Sequence, residues 1–281
     1  MPIELIPASK FSIQALVDLY NQTREDYLVP MPMNAQRLQE YIDDFDIDLS
    51  SSCVARSTED GQVLGLGMLG VRQPLAWVTR LGVVPTTRRS GAGKAIIDYM
   101  LKRAEALGIQ EIHLEVIKDN RPAHNLFLKK GFVDVDEYLV MRRTPQAVRK
   151  PLNGEVKWLN RDEALRILET YPKHLTWVTA HESMRNALHT EGLQIRFSNS
   201  DQGWLVYRYH QSLLSHLIMH TVHGDPAKVG THLLRHLYSR YPQADTYAEN
   251  IHAKDPHLPA FEALSFVIDF SRVEMRRKNK M

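Results

Sequence analysis

The stretch LGVVPTTRRSGAGK, residues 81–94, sets out a strand, a turn and the start of a helix. Leu81 to Val84 is a short apolar run, Pro85 to Thr87 a turn, Arg88 and Arg89 a basic pair, and Ser90-Gly91-Ala92-Gly93 opens the helix. The first N–H groups of a helix have no intrahelical acceptor, and the helix dipole adds partial positive charge at the same end. Glycine at 91 and 93 leaves no Cβ between the backbone and an approaching phosphate. The stretch therefore predicts a pyrophosphate cradle. Two common nucleotide loops do not fit it. In a G-x-x-x-x-G-K-[ST] loop a hydroxyl follows the lysine, but Ala95 follows Lys94, and Arg88 stands at the first glycine. A dinucleotide fingerprint needs a third glycine where this chain has Ile96.

Working outward, 281 residues suffice for one large domain or two of about 140. A hydrophobic content of 43% with 24% charged residues is that of an ordinary soluble globular chain. A net charge of +2 gives no basis for expecting nucleic acid or a membrane surface as partner. The single cysteine, Cys53, excludes an intrachain disulfide, fits a reducing compartment and reads as a small buried strand residue. The N-terminus MPIELIPASK lacks a basic region followed by an apolar core, and no run reaches membrane-span length. The expectation is a cytoplasmic protein.

The residues before the cradle predict a strand at Ile3 to Ile6 and a helix from Ile13 to Asn21 capped by Ser12 or Ser9. A two-proline connector, Asp26 to Met33, precedes a second helix, Ala35 to Asp44, capped by Asn34. Strands follow at 52–57, 63–71 and 76–84, then the cradle helix to Ala106. Glu111 to Lys118 reads as a strand, Pro122 to Lys130 as a helix stopped by Gly131, and Phe132 to Arg143 as the closing strands. The order is β-α-α-β-β-β-α-β-α-β-β.

Arg88, Gly91 and Gly93 spell R-x-x-G-x-G after a strand, which resembles the acyl-CoA loop of the GNAT superfamily of N-acetyltransferases. A second segment strengthens the likeness. Asn120, Ala123, Leu126, Phe127, Lys129, Gly131 and Phe132 are similar to the family's N-x-x-A-x-x-L-Y-x-K-x-G-F pattern, one strand after the cradle helix. The element order is also the family's, which implies a mixed α/β sheet of the α+β kind.

The chain then repeats itself. Residues 115–143 moved forward by 134 fall on 249–277 without a gap, and nine positions coincide, among them Glu115/Glu249, Pro122/Pro256, Phe127/Phe261 and Met141-Arg142-Arg143/Met275-Arg276-Arg277. A period of a whole domain indicates tandem duplication. The expected organisation is a first domain at 1–143, a linker at 144–154 containing Pro145 and Pro151, and a second copy at 155–281. In that copy Asp225-Pro-Ala-Lys228-Val-Gly230 replaces the cradle, and Lys254 replaces Asn120. A carboxylate at a phosphate entrance repels the ligand, and a side chain at the first glycine obstructs the backbone. The second copy reads as degenerate.

The resemblance implies acetyl-CoA as co-substrate and a primary amine, on a small molecule or a peptide, as acceptor. It implies that backbone groups of Leu81, Gly82 and Val83 hold the acyl and pantetheine parts. Arg88, Arg89, Ser90, Gly91, Ala92, Gly93 and Lys94 would take the pyrophosphate, and Asn120 the cofactor arm. Glu115 stands where some members place a catalytic glutamate, but the degenerate copy keeps Glu249, so Glu115 is either the base or a structural residue. Phe127 occupies a position that is commonly tyrosine, whose hydroxyl lies near the CoA sulfur; Tyr138 or Tyr99 is the substitute the sequence offers. Asp26, Tyr27, Asp43, Asp44 and Asp46 flank the expected amine entrance. His232 and His236 are four apart on an expected helix, but no cysteine or carboxylate completes an obvious set, and no metal is expected. Two functions follow: an N-acetyltransferase working through the first domain, or a non-catalytic acyl-CoA binder. Monomer and homodimer both fit.

Overall fold

Ser12 and Asn34 start the first two helices by the same device. The Ser12 hydroxyl accepts from the Ala15 amide and the Asn34 carbonyl from Arg37, so each helix begins with an orphan N–H satisfied. The computed structural model describes residues 2–29, 31–150, 154–197 and 200–279. Pro30 of the connector and Pro151 of the expected linker lie outside the described residues.

The chain folds as two compact units, Met1–Val135 with Glu274–Met281, and Asp136–Val273. In the first, β1 (Ile3–Pro7) leads to α1 (Ile13–Gln22) and α2 (Ala35–Asp44). Strands β2 (Cys53–Ser57), β3 (Val63–Arg72) and β4 (Leu75–Val83) follow as an antiparallel meander. Then come α3 (Ala92–Ala106), β5 (Glu111–Ile117), α4 (Arg121–Lys129) and β6 (Val133–Arg143). Leu16, Tyr20, Leu38, Leu64, Leu66, Met68, Ile96, Met100 and Phe132 are buried in this unit. Cys53 is buried too, and desolvation pushes its thiol up to about 12, so it is an inert core residue.

Two features of this unit differ from the sequence expectation. The stretch 132–143 was expected to hold more than one closing strand, and it holds one, β6. From Asp136 onward this strand belongs to the second unit, where it pairs with β11 (Asp245–His252). The first sheet is instead extended beyond β5 by the end of β12 (Val267–Lys278), giving the order β1-β2-β3-β4-β5-β12. Asn279 fixes the register, its amide donating to Gln110 O at 2.8 Å and its side chain to Ile109 O at 2.8 Å. The divisions expected at Arg143 and Glu155 are therefore not where the compact units part.

The second unit repeats the plan with β7 (Glu155–Leu159), α5 (Arg161–Leu168), α6 (His181–Asn186), β8 (Thr190–Arg196), β9 (Gln202–His210), β10 (Leu213–His223), α7 (Pro226–Arg240), β11 and α8 (Leu258–Ala263). Its strands run β6-β11-β10-β9-β8-β7. Leu193, Leu205, Tyr207, Leu233, Leu237 and Phe261 belong to its main core. The duplication is visible element by element: β5, α4 and β6 correspond to β11, α8 and β12 at the spacing of 134 read from the sequence.

Candidate functional site

The cleft of the first unit is made by two strands that part. β4 and β5 pair in parallel only from Leu75↔Glu111 to Trp77↔His113, yet they continue to Val83 and Ile117. Within the open stretch β4 carries a bulge. Between Leu66↔Gly82 and Met68↔Thr79 it has one residue more than β3, and Arg80 takes a φ of 52°. Leu81, Gly82 and Val83 lie just past the bulge, on the parting edge.

The cradle follows on the same strand. Arg89 and Gly91 have φ of 67° and 91°, left-handed values that turn successive amides to one side. Among the described residues the amides of Arg89, Gly91, Gly93 and Lys94 donate to nothing, while Ala92 N reaches Ser90 Oγ at 3.3 Å and Ala95 N reaches Gly91 O at 3.0 Å. A Cβ on Gly91 would meet nothing within 4 Å. Glycine is needed there for its φ and for open access. Gly93 is set differently, with ordinary contacts to Val83 and Leu126. Of the cations, Arg89 makes no ion pair among the described residues, and Lys94 pairs with Asp98 at 3.2 Å. Arg88 is held by Asp26 through two charge-assisted bonds, Nη1 to Oδ2 at 2.6 Å and Nη2 to Oδ1. This bond to Arg88 holds the Asp26 carboxyl below its usual range.

Residues 14–132 match the acetyltransferase (GNAT) family. Three solved structures resemble nearly the whole chain. A GCN5-related N-acetyltransferase from Sphaerobacter thermophilus has a TM-score of 0.70 at 13% identity, covering 98% of this chain and 95% of that one. A tandem GNAT protein from the clavulanic acid biosynthesis pathway has a TM-score of 0.66 at 16% identity, covering 99% and 98%. A GCN5-related N-acetyltransferase from Anabaena variabilis has 0.55 at 13%, covering 99% and 73%. At such identities the likeness speaks for the fold, which is that of two tandem GNAT domains. No curated protein matches the chain in sequence.

In the GNAT cleft Glu115 stands on β5 two residues past the last β4 pair, and its Oε2 accepts from Trp77 Nε1 at 2.7 Å. Trp77, Tyr41 and Phe45 form a ring cluster behind it. The Tyr41 hydroxyl bonds to Thr79 at 2.6 Å, and burial pushes it up to about 12 even with Arg80 opposing, so it stays protonated. Glu249, the counterpart of Glu115, instead accepts from Arg272 at 2.7 Å. Asn120 caps α4 through the Ala123 amide and donates to the Tyr27 hydroxyl at 3.4 Å.

Two cations lie here that sequence reasoning missed. Arg24 stacks over Tyr27 at 4.3 Å and donates to Leu81 O at 3.3 Å. Arg80 lies over Tyr41 at 4.3 Å and donates to the Tyr20 hydroxyl at 3.1 Å. Neither carries a local signal, because a bulge and a helix-end contact are both set by distant residues. The substitutes for Phe127 fare differently. Tyr138 belongs to the second unit and lines a cavity there. Tyr99 lies on α3, and burial first, then the charges of Cys53 and Asp48, raise its hydroxyl against the opposing Arg103. Phe127 itself is buried edge-on to Phe132 at 5.9 Å. Of the acidic flank, Asp46 binds Arg72 at 2.6 Å and Asp44 is buried.

Gly82 couples the cleft to α1. A Cβ there would lie 2.5 Å from Thr23 Oγ1 and 2.7 Å from Arg24 Nη1. Thr23 is buried with its hydroxyl bonded to Tyr20 O at 2.7 Å, so it has little room to move. Gly82→Ala is expected to destabilise by about 1–3 kcal/mol, read as a lower melting temperature. An unchanged melting curve would mean that α1 does not clamp β4 here.

The second unit keeps the bulge and loses the cradle. β10 pairs with β11 only from Leu213↔Asp245 to Ser215↔Tyr247, and His216 sits at a bulge with φ 53°. However, α7 starts at Pro226, one turn earlier than α3 in the matched segments. The Asp225 carboxylate caps it by accepting from Lys228 N at 2.9 Å, and Lys228 Nζ pairs with Asp201 at 3.0 Å. The loop has been absorbed into a helical turn whose N-terminus already holds a carboxylate. His232, on α7, packs its ring on Phe197 at 4.9 Å.

Proposed function

We propose that the first unit is an N-acetyltransferase that moves the acetyl group of acetyl-CoA to a primary amine of a small molecule or peptide. The observation that carries this reading is the row of undonated amides at 89, 91, 93 and 94 beside parted β4 and β5, within the segment that matches the family. Acetyl-CoA supplies an activated thioester. The chain's groups would orient it: amides and Arg89 on the diphosphate, the β4 edge on the arm, Asn120 beside it. Glu115 would take the proton of the attacking amine, directly or through one water. As the C–N bond forms and the C–S bond breaks, the leaving thiolate would take a proton from solvent or from the Tyr27 hydroxyl, whose oxygen accepts from Asn120 Nδ2.

Calorimetric titration with acetyl-CoA tests the cofactor step, and thiol release with a panel of amines tests turnover. One site per chain with turnover is expected. No binding would overturn the reading. Phe127 favours a second reading, an acyl-CoA binder without turnover, which tight binding and no thiol release with any amine would support.

The Asp26–Arg88 pair adds a prediction. Asp26→Asn frees Arg88 for phosphate and should tighten acetyl-CoA binding about threefold at neutral pH. The Asp26 carboxyl is depressed in the folded chain, so the pair is intact above the ordinary aspartate pKa and is lost as pH falls through the lowered value. The advantage of the variant should shrink over that acidic range. Equal affinities at neutral pH would mean that Arg88 does not reach the phosphates.

A further inference from the structure

Three tyrosines and two arginines alternate beside the bulge of β4. The Arg24 guanidinium lies 4.3 Å from the Tyr27 ring centroid and 5.2 Å from that of Tyr20. The Arg80 guanidinium lies 5.4 Å from Tyr20 and 4.3 Å from Tyr41. Tyr20, fully buried on α1, thus holds two like charges against one ring. The connector adds to the wall. Met31 Sδ is 3.8 Å from Arg80 Nη1, and Asn21 pins Met33 by its amide at 3.0 Å and its carbonyl at 2.9 Å. Both arginines stand on the side of α1 and α2, past the last β4–β5 pair.

The neighbouring charges say what these cations face. Arg24 is half-buried, makes no ion pair among the described residues, and its buried Nε has no hydrogen-bond partner. Its Nη2 donates to Leu81 O, and stacking on Tyr27 keeps the other N–H groups in a plane that suits a carboxylate. Most acids nearby are engaged elsewhere. Asp26 holds Arg88, Asp46 holds Arg72, and Asp44 offers Arg72 its carbonyl at 3.4 Å. Asp43 is two residues from Tyr41 on α2 and so faces the other way, and Glu25 is exposed with no ion pair among the described residues. The carboxylate that remains is Glu115, tied to the same aromatic cluster through Trp77, whose ring is 6.1 Å from that of Tyr41. Burial raises the Tyr41 hydroxyl most; after it Arg80 lowers and Glu115 raises, so charges of both signs reach that one group. The cleft presents one carboxylate and two guanidinium groups.

We propose that the acceptor is an amino acid with a free carboxylate, its amine at Glu115 and its carboxylate on Arg24 with Arg80 beside it. This rests on the acetyltransferase reading and narrows it, because a peptide N-terminus has an amide where the carboxylate would be. The transfer itself is unchanged. The ammonium gives one proton to Glu115, the C–N bond forms as the C–S bond breaks, and the second proton lost by nitrogen balances the one the thiolate takes. The carboxylate keeps its charge throughout.

The test measures thiol release from acetyl-CoA with the common amino acids, their α-amides and the corresponding decarboxylated amines. The amine of the amide is less basic than that of the acid, and the decarboxylated amine is more basic. A preference for the acid over both therefore does not come from amine protonation. At least one acid is expected to exceed both partners about tenfold in kcat/KM. Arg24→Gln should raise KM for that acid about tenfold, change kcat by less than about threefold, and cost several-fold less with the amide. Arg24→Lys, which keeps the charge and loses the planar fork, should fall between. Melting curves and acetyl-CoA affinity show whether each variant is folded with its cofactor site intact. The proposal is overturned if amides or decarboxylated amines are acetylated as well as the acids. It is equally overturned if Arg24→Gln slows acid and amide alike, which would make Arg24 a clamp on β4 and nothing more. Both of those outcomes leave the acetyltransferase standing. Acetyl-CoA binding with no thiol release from any compound overturns the transferase reading, and this proposal with it.

Discussion

Gly91→Glu is expected to weaken acetyl-CoA binding by more than about 100-fold, which corresponds to about 2.7 kcal/mol. Three effects add. A residue with a Cβ is strained at the φ of 91° that this turn requires. The side chain stands among the undonated amides of 89, 93 and 94, and its charge repels the phosphates at short range. Gly91→Ala separates these effects. Nothing lies within 4 Å of the added Cβ, so only the strain and a small obstruction remain, and a loss of about fivefold is expected. Lys228→Glu is the matched change in the second copy, where the helix cap is already a carboxylate, and it should leave binding unchanged. A titration giving two sites per chain would show that the second copy keeps a working cradle. Unaltered binding in Gly91→Glu would remove the phosphates from this loop.

The cradle was legible because it is local. A strand end and a helix start are dictated within a few residues, as are the Ser12 and Asn34 caps, and these elements lie where the sequence placed them; the φ of 91° at Gly91 is added by the structure, and the phosphate role of the loop belongs to the proposal. The repeat was legible for a related reason: identical residues at one spacing mark equivalent elements. The same identity hid the exchange of closing strands. Met141-Arg142-Arg143 and Met275-Arg276-Arg277 offer the same local pattern, so nothing within either run says which unit it joins. That choice rests on distant pairing, such as Asn279 with Gln110. Arg24 and Arg80 escaped notice likewise. An arginine near a helix end looks solvated until the bulge opposite Leu66 and Met68 brings β4 against it. Tyr138 shows the reverse error, since a plausible hydroxyl by sequence distance belongs to the other unit.

Glu115→Gln distinguishes a base from a structural carboxylate, because it changes charge and almost nothing else. The oxygen that accepts from Trp77 Nε1 at 2.7 Å can be supplied by the amide, so the indole stays satisfied and the ring cluster with Tyr41 and Phe45 stays in place. The melting temperature and the acetyl-CoA affinity should therefore be close to those of the natural chain. The amide cannot take a proton, and kcat is expected to fall about 100-fold or more, with loss of the acidic limb of its pH profile. Glu115→Ala serves as the opposite control. It strands the Trp77 N–H in a half-buried site and should lower both stability and rate. Glu249→Gln supplies the structural comparison within the same chain. Its carboxylate holds Arg272 at 2.7 Å, so that change should cost stability and leave the rate untouched. Full activity in Glu115→Gln would assign the glutamate of both copies to structure. The amine would then have to arrive at the thioester already deprotonated, selected from solution by the cleft.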